Sequence, residues 1–429
     1  MPNIVLLGTA DSKLEELLYL RSQILENGVS NCKVIFVDVG RTPTEHNDIT
    51  VAQDDLTTNY APKGGHVDLS TLPRGDVIKH MIACGSNWLR EAYSAGLVDS
   101  TKALHGIINA GGTGNSSLAA AIMREVLPIG FPKFIVSTNA SGDVGPLVGE
   151  TDITMMYSVC DISGLNYLLR RILSNAGAAI AGMAGAYERS LQSNSLAPTV
   201  SNMQTRRVGL TMFGVTTPCV DTIRKYLSTH YPIECIVFHC TGAGGRAMER
   251  LVREGVLEAV LDVTTTELCD QLCGGVMDAG PDRLTAALEK GIPCVISLGA
   301  TDMVNFGPKA TVPERYQHRN LFEHNPTVTL MRTSPEECKA VGEFIVEKVK
   351  TKARDARKVE VVLPRGGVSM IATPGGPFYD AEADEAIFSA IAKGLRGSDV
   401  LVVDDERDIN DEGFAVDLAK RLVRLVGLT

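Results

Sequence analysis

The chain has 429 residues, of which 44% are hydrophobic and 21% charged, and its formal net charge is −10. This length predicts two or three globular domains, and the acidic balance, with no basic tail or stripe, excludes nucleic acid and acidic membranes as partners. The apolar stretches are too short to span a membrane, and no basic leader precedes the first strand, so we expect a cytoplasmic protein. The ten cysteines contain no CxxC pair, so we expect them to be reduced, without disulfides or a metal site.

The first half alternates apolar runs with amphipathic segments, a pattern typical of parallel strands joined by helices. Strands are predicted at 3–8, at 33–40, directly before the glycines at 111–114, and at 131–138. Helices are predicted after the first strand, near 75–95, after the glycines, and over 161–186.

The segment 188–207 loses the apolar period and gathers Ser, Asn, Gln and Pro, which predicts a linker with the domain boundary near residue 200. The same plan then restarts, with strands expected at 207–214, 234–240, 258–263 and 293–300. The predicted fold is therefore α/β, with two doubly wound, Rossmann-like domains at 1–200 and 201–429 and mainly parallel sheets.

A glycine-rich turn between an apolar strand and an Ala-rich helix is the most informative local feature. Gly111, Gly112 and Gly114 allow the backbone to approach a ligand closely, and the helix that follows presents unpaired N–H groups. Such a turn is typical of phosphate binding, but glycine-rich turns that bind nothing are also common in α/β folds. The chain has no Walker A motif, which excludes a P-loop motor or kinase.

A second glycine loop in the other half opens an alternative. Gly242-x-Gly244-x-x-Ala247 follows a predicted strand and formally matches a dinucleotide fingerprint, and Asp262 lies at the offset expected for a ribose contact. Arg246 falls in the first turn of the helix that follows, where charge and helix dipole both favour anions. This half then predicts either an NAD-dependent oxidoreductase or a substrate-binding loop formed by Gly242, Gly244, Gly245 and Arg246.

Ionisable and amide side chains gather near the predicted strand ends of the second half. A cluster of acids, amide and imidazole at the carboxyl ends of parallel strands is suited to acid–base work on a small substrate. The candidate catalytic residues are His239, Asp262, Glu267, Asp302, Asn305 and His324. For any single one of them, a solvated or hydrogen-bonded structural role is the alternative.

Several loops taken together resemble the Tm-1-like ATP-binding domain family, also called uncharacterised protein family UPF0261. The matching motifs extend in order over nearly the whole chain: GTADSK (8–13), GGTGNSSL (111–118), LSNAGAAIAGM (173–183), GLTMFGVTTPCV (209–220), VFHCTGAGGRAMERLVREG (237–255), LDVTTTEL (261–268) and DMVNFGPK (302–309).

The resemblance implies a two-domain α/β homodimer that binds ATP with Mg²⁺ in its first domain. The nucleotide contacts it implies fall on Asp11, Ser12, Lys13, Arg41, Thr42, Arg74, Gly112, Thr113, Gly114 and Asn115. Two positions depart from a plant member of the family, which has Gly in place of Asn115 and Thr in place of Arg41.

Three functions follow from these observations. We expect an ATP-binding metabolic enzyme that acts on a small anionic substrate, with the reaction unspecified because no residue stands out as the base that activates water. The first alternative is a non-catalytic, ATP-dependent protein-interaction module, as in the viral helicase binding known in the family. The second is the NAD-dependent oxidoreductase predicted from the second glycine loop.

Overall fold

The computed structural model describes residues 1–28, 32–62, 67–193 and 205–428. By its contacts the chain divides into two compact units, Met1–Thr199 and Val200–Thr429. The centre of the predicted linker, 194–204, and with it the predicted boundary near residue 200, lie outside the described residues.

The first unit is a parallel sheet with helices on both faces. Its strands are β1 (Asn3–Gly8), β2 (Lys33–Asp38), β3 (Gly106–Gly111), β4 (Lys133–Ser137) and β5 (Thr154–Tyr157). Its helices are α1 (Ala10–Asn27), α2 (Gln53–Asn59), α3 (Arg74–Val98), α4 (Thr113–Val126), α5 (Gly145–Val148) and α6 (Tyr167–Gln192).

The strand order is β2-β1-β3-β4-β5. Every residue of β1 and β3 is buried, as expected for parallel strands covered by helices. The side chains of α3 and α4 form a core on one face, and those of α1 and α6 form a core on the other. The order reverses between β1 and β3, so the loops after these two strands diverge to opposite faces of the sheet.

The second unit repeats this architecture with a six-stranded parallel sheet in the order β14-β13-β9-β8-β6-β7. Its strands are β6 (Arg206–Met212), β7 (Ile233–His239), β8 (Ala259–Thr264), β9 (Cys294–Gly299), β10 (Met303–Phe306), β11 (Leu321–Asn325), β12 (Val328–Arg332), β13 (Val359–Pro364) and β14 (Leu401–Asp405). Its helices are α7 (Thr217–His230), α8 (Ala243–Arg253), α9 (Glu267–Cys273), α10 (Ala286–Lys290), α11 (Pro335–Lys352), α12 (Ala381–Gly394) and α13 (Glu412–Val426).

The predicted fold class, two mainly parallel α/β sheets, is confirmed. An additional antiparallel sheet, β10-β12-β11, was not expected from the sequence. Its strand β11 is largely exposed and reads LFEHN, so it lacks the continuous apolar run that marks the buried parallel strands. Among the described residues, no helix is both long and apolar enough to cross a bilayer.

Candidate functional site

The first unit contains a cleft of about 690 Å³ at the carboxyl ends of β1 and β3, where the strand order reverses. This is the position at which open α/β sheets bind their ligands. Nine of the ten predicted nucleotide contacts line this cleft: Asp11, Ser12, Lys13, Arg41, Arg74, Gly112, Thr113, Gly114 and Asn115. The tenth, Thr42, lies beside it and donates its backbone N–H to Asp11 Oδ2 over 3.2 Å.

The N-terminus of α4 forms one wall of the cleft. Gly112 occupies the N-cap position, and no side chain caps the helix. The first N–H groups of a helix have no intrahelical acceptor, and they carry the positive end of the helix dipole. The loop at 112–115 therefore offers donors to an anion in the cleft.

Two cationic side chains, Arg74 and Lys13, line the cleft. The guanidinium of Arg74 is close enough to the first turn of α4 that a Cβ added to Gly114 would lie 3.3 Å from it. Lys13 interrupts the first turn of α1 with non-helical backbone angles, and its ammonium group donates to the carbonyl of Ile162. Arg41 acts differently, because its guanidinium donates to the carbonyls of Ser70 and Leu72 and so fixes the segment that leads to Arg74.

Asp38, which sequence reasoning did not single out, organises the opposite wall. Its Oδ1 accepts from the N–H groups of Ala10 (3.0 Å) and Gly40 (2.8 Å), so this carboxyl caps the start of α1. Burial raises the pKa of Asp38 to about 6, although these N–H donors oppose the shift. The signal for Asp38 was its place at the end of an apolar strand, two residues before Gly40. Asp11 then accepts the N–H of Arg41 over 2.8 Å.

Asn115 has a structural role in the first turn of α4. Its amide donates to the carbonyl of Ala110 over 3.0 Å and accepts from Asn109 over 3.0 Å. These bonds fix the turn at Gly111, where an added Cβ would lie 2.3 Å from the Asn115 amide nitrogen. The departure from glycine at position 115 therefore leaves the cleft open.

The side chains of the cleft suit a magnesium ion only when the ion is bound together with a nucleotide. Among the described residues, no group of three or more His, Cys, Asp or Glu side chains is arranged to hold a metal. Magnesium bound with a nucleotide takes most of its ligands from phosphates and water and needs one or two carboxylates. Asp11 is the carboxylate that lines the described part of the cleft.

The second glycine loop, in contrast, is filled by the protein itself. The Glu267 carboxylate accepts from the N–H groups of Gly242 (2.7 Å) and Gly245 (3.0 Å) through Oε1. A Cβ on Gly245 would lie 2.0 Å from Glu267 Oε2, and one on Gly244 would lie 1.9 Å from the carbonyl oxygen of His239. Internal contacts thus explain these glycines, which argues against a pyrophosphate or substrate at Gly242, Gly244 and Gly245.

The carboxylates beneath this loop form a buried ion cluster. Arg283 donates to both oxygens of Asp262 over 2.6 and 2.7 Å and to Glu267 Oε2 over 2.8 Å. Asp262 is 1% exposed and also accepts from Thr211, so it is not available to a ribose. Arg246, on the surface, donates to the carbonyl of Asp278. Sequence reasoning missed Arg283, whose importance depends on three-dimensional neighbours alone.

The six candidate catalytic residues fall into several groups by their contacts. Asp262 and Glu267 belong to the ion cluster, and Asn305 donates to the buried Asp270. Asp302 accepts from Ser369 over 2.8 Å, and burial raises the pKa of Asp302 to about 7. His239 and His324 line one cavity. The expected acid–base role of these six residues stays a prediction.

Comparison with protein families covers both units. The description "Uncharacterised protein family (UPF0261) N-terminal domain" matches residues 2–189, and the corresponding C-terminal domain matches residues 205–426. A putative UDP-N-acetylglucosamine 2-epimerase from Listeria monocytogenes aligns over 93% of this chain and 97% of its own, at 10% identity. Its TM-score of 0.22 is too low to support an argument.

Two relatives are similar over the length of this chain. A UPF0261 protein of Clostridium tetani is 41% identical over 431 residues, which cover 99% of this chain and 98% of that protein. The tomato protein named ToMV resistance protein Tm-1(GCR237) is 40% identical over 434 residues, covering 96% of this chain but 54% of that protein. The chain therefore belongs to the UPF0261 family and is related to the tomato Tm-1 proteins.

Proposed function

We propose that the first unit binds ATP, or a close adenine nucleotide, with its phosphates at the N-terminus of α4. The observation that carries this proposal is an uncapped helix N-terminus that opens into the cleft at the β1/β3 reversal. An anion in that position gains backbone donors and a favourable dipole together.

The other lining residues suit the remaining parts of a nucleotide. Lys13 and Arg74 add positive charge for the phosphates, and Arg74 has the planar donor geometry suited to them. The apolar side chains that line the cleft offer a surface for the base: Val39, Val77, Ile78, Met81 and Leu118. Asp11 is the residue we expect to hold Mg²⁺, directly or through water.

Substitution of the two cations tests the placement. We expect Lys13→Ala and Arg74→Ala each to weaken ATP binding by about 1.5–3 kcal/mol, the contribution of a hydrogen bond to a charged group, as measured by calorimetry with Mg²⁺. Lys79→Ala is the matched control, because Lys79 is exposed on the same helix as Arg74 and pairs with Asp76. Unchanged affinity in both test variants would rule out this site.

For the whole protein we favour a metabolic enzyme whose small anionic substrate binds in the second unit. The non-catalytic interaction module remains the alternative, motivated by the resistance function named for the tomato relative. The NAD-dependent alternative lacks support, since Glu267 occupies the loop that a dinucleotide would need. Metabolite screening by thermal shift, with and without ATP–Mg²⁺, separates the first two. A protein partner that binds more tightly with ATP, without any small-molecule ligand, would favour the module.

We also propose a cytoplasmic homodimer. All ten cysteines are unpaired, which agrees with a reducing compartment. The small-residue stretch at 175–185 supports close packing within the unit: a Cβ on Gly177 would lie 2.9 Å from the Cβ of Gln23, so α6 packs directly on α1. The dimer thus rests on family membership, and a monomer by light scattering at micromolar concentration would refute it.

A further inference from the structure

The second unit contains a cavity of about 510 Å³ that is separate from the ion cluster. It lies between the carboxyl ends of β6 and β7 and the antiparallel sheet, with Phe213 and His239 on one side and β11 and β12 on the other. The volume falls in the range of about 300–1,000 Å³ that is typical of small-molecule sites. The carboxyl ends of parallel strands are also where such sites occur.

The walls of this cavity are apolar. They are formed by side chains from several elements: Phe213, Val215, Phe322, Val328, Leu330 and Met370. Among the described residues that line the cavity, there is no Asp, Glu, Lys or Arg. A ligand that fills it must therefore have a hydrocarbon body, because a polar body would lose its hydration without gaining partners.

The polar side chains among the described lining residues are two imidazoles, His239 and His324, and the amide of Asn325, whose oxygen accepts from Thr327. The His239 ring lies against Phe213, with 5.4 Å between ring centroids and 31° between planes. On β11, Phe322 and His324 both line the cavity, and the pairing of β11 with β12 shifts register between Glu323 and Asn325, around His324. Each neutral imidazole carries one N–H donor. A ligand whose polar end accepts hydrogen bonds therefore receives one N–H from each ring.

A buried polar chain holds one wall in place. The Ile371 N–H donates to Ser369 Oγ over 3.2 Å, and that hydroxyl donates to Asp302 Oδ2 over 2.8 Å. Since Met370 and Ile371 both line the cavity, the buried Asp302 fixes the loop that carries them. A wall fixed in this way lowers the ordering cost of binding.

We propose that this cavity binds a small monocarboxylic acid with an apolar body, whose carboxylate accepts from His239 and His324. A single carboxylate fits two imidazole donors in a lining that has one further polar side chain, the amide of Asn325, whereas a phosphate ester would bring more charge than this lining compensates. The inference deepens the proposed enzyme function, on which it rests only for the biological role, by giving the class and location of the substrate. Binding itself does not require the nucleotide.

Calorimetry on the full chain with 4-phenylbutyrate tests the chemistry. We expect this acid to bind about tenfold more tightly than 4-phenylbutanol, which keeps the body but loses the carboxylate, and than acetate, which keeps only the carboxylate. The double variant His239→Ala/His324→Ala should lose about tenfold or more in affinity for the acid. His230→Ala, an exposed histidine on α7 of the same unit, should bind as the unsubstituted chain does.

Gly214→Leu tests the location by filling the cavity. Gly214 lines the cavity, its φ lies outside the left-handed region, and an added Cβ would meet no atom within 4 Å. The variant should keep its melting temperature and lose binding of 4-phenylbutyrate. Gly182→Leu, at an equally open position on α6, should bind normally.

Three results would overturn the proposal: equal affinity for acid and alcohol, unchanged affinity in the double histidine variant or in Gly214→Leu, or no binding of the acid at millimolar concentration. ATP is titrated into the same samples. If the unsubstituted chain binds the acid but not ATP, the nucleotide proposal alone is rejected. If it binds ATP but not the acid, this inference alone is rejected.

Discussion

The two glycine loops of this protein have the same local design and different contents. Each follows a parallel strand and opens a helix: the first follows the fully buried β3 and opens α4, and the second follows the edge strand β7 and opens α8. In the first, the helix N-terminus has no side-chain cap and opens into a cleft. In the second, the carboxylate of Glu267 accepts the N–H groups that a ligand would otherwise use.

The difference shows that a glycine motif identifies a place for an anion but not the origin of that anion. In the second unit the anion belongs to the chain, and Arg283 balances its charge. The first unit also has an internal carboxyl at a helix start, Asp38, but it caps α1 and leaves α4 open. The contents of each loop are therefore decided by where the neighbouring strand ends place an acidic side chain.

Removal of the balancing cation should produce the largest effect. Arg283→Met leaves Asp262 and Glu267 buried without their common partner, and we expect a loss of about 3–5 kcal/mol in the free energy of unfolding. Urea denaturation followed by far-ultraviolet circular dichroism measures it, while the single tryptophan, Trp88, reports on the first unit. Arg224→Ala, which removes an exposed pair with Asp221, should cost at most about 0.5 kcal/mol. Similar losses of unfolding free energy in both variants would show that the buried ion cluster contributes no more to stability than an exposed ion pair.

Removal of the Glu267 carboxylate from the second glycine loop should leave its N–H groups open to an added anion, as in the first loop. Glu267→Ala leaves the N–H groups of Gly242 and Gly245 without their acceptor, at a cost of about 2–3 kcal/mol, smaller than for Arg283 because Arg283 keeps Asp262. Added acetate should bind in the vacated space and raise the melting temperature of the variant, but not that of the unsubstituted chain. Sodium chloride at equal ionic strength is the control. An equal response of both chains to acetate would contradict an anion site in this loop.

The internal carboxyl of the first unit should give stability a measurable pH dependence. The pKa of Asp38 is about 6 in the folded chain, above the value of about 3.9 expected when unfolded, so the folded state holds the proton more strongly. The contribution of Asp38 to stability is therefore present at low pH and is lost as pH rises from about 4 through 6, by up to about 1.4 kcal/mol per pH unit.

Asp38→Asn tests this dependence, because the amide keeps an oxygen for the N–H groups of Ala10 and Gly40 but does not titrate. Urea midpoints read from Trp88 fluorescence should vary less with pH between 4 and 6 in this variant. Asp55→Asn, at an exposed position in the first turn of α2, should keep the dependence of the unsubstituted chain. An identical pH profile in Asp38→Asn would refute the assignment.

Much of the first unit was predictable because its signals are local. Buried strands such as β1 are continuous apolar runs, and the topological rule for parallel sheets places a crevice between the diverging loops after β1 and β3. The motif residues of those loops therefore meet in one cleft. The small antiparallel sheet was missed because its exposed strand β11 lacks an apolar pattern.

The chemistry of the second unit was not predictable in the same way. Glu267 was identified as a candidate catalyst, yet its carboxylate is committed to Gly242, Gly245 and Arg283. Arg283 lies in a polar segment of the sequence that reads as surface, and only the fold buries it beside Asp262. Composition near strand ends therefore locates polar groups without showing which of them neutralise one another.

A charge placed in the first loop should make it resemble the second, with the smallest effect of the four changes. Asn115→Asp puts a carboxylate in the first turn of α4, where it competes with the phosphates for the helix dipole. We expect it to weaken ATP binding by about 0.3–1 kcal/mol, or up to about fivefold in affinity. Asn115→Ala also loses the bond donated to Ala110, and in addition the bond accepted from Asn109, without adding charge, so it separates a disturbed turn from the added charge. Adenosine, which lacks phosphates, should bind both variants equally in calorimetry. If Asn115→Asp weakened adenosine as much as ATP, its effect would come from a distorted turn rather than from charge, and the phosphates would have to lie away from α4.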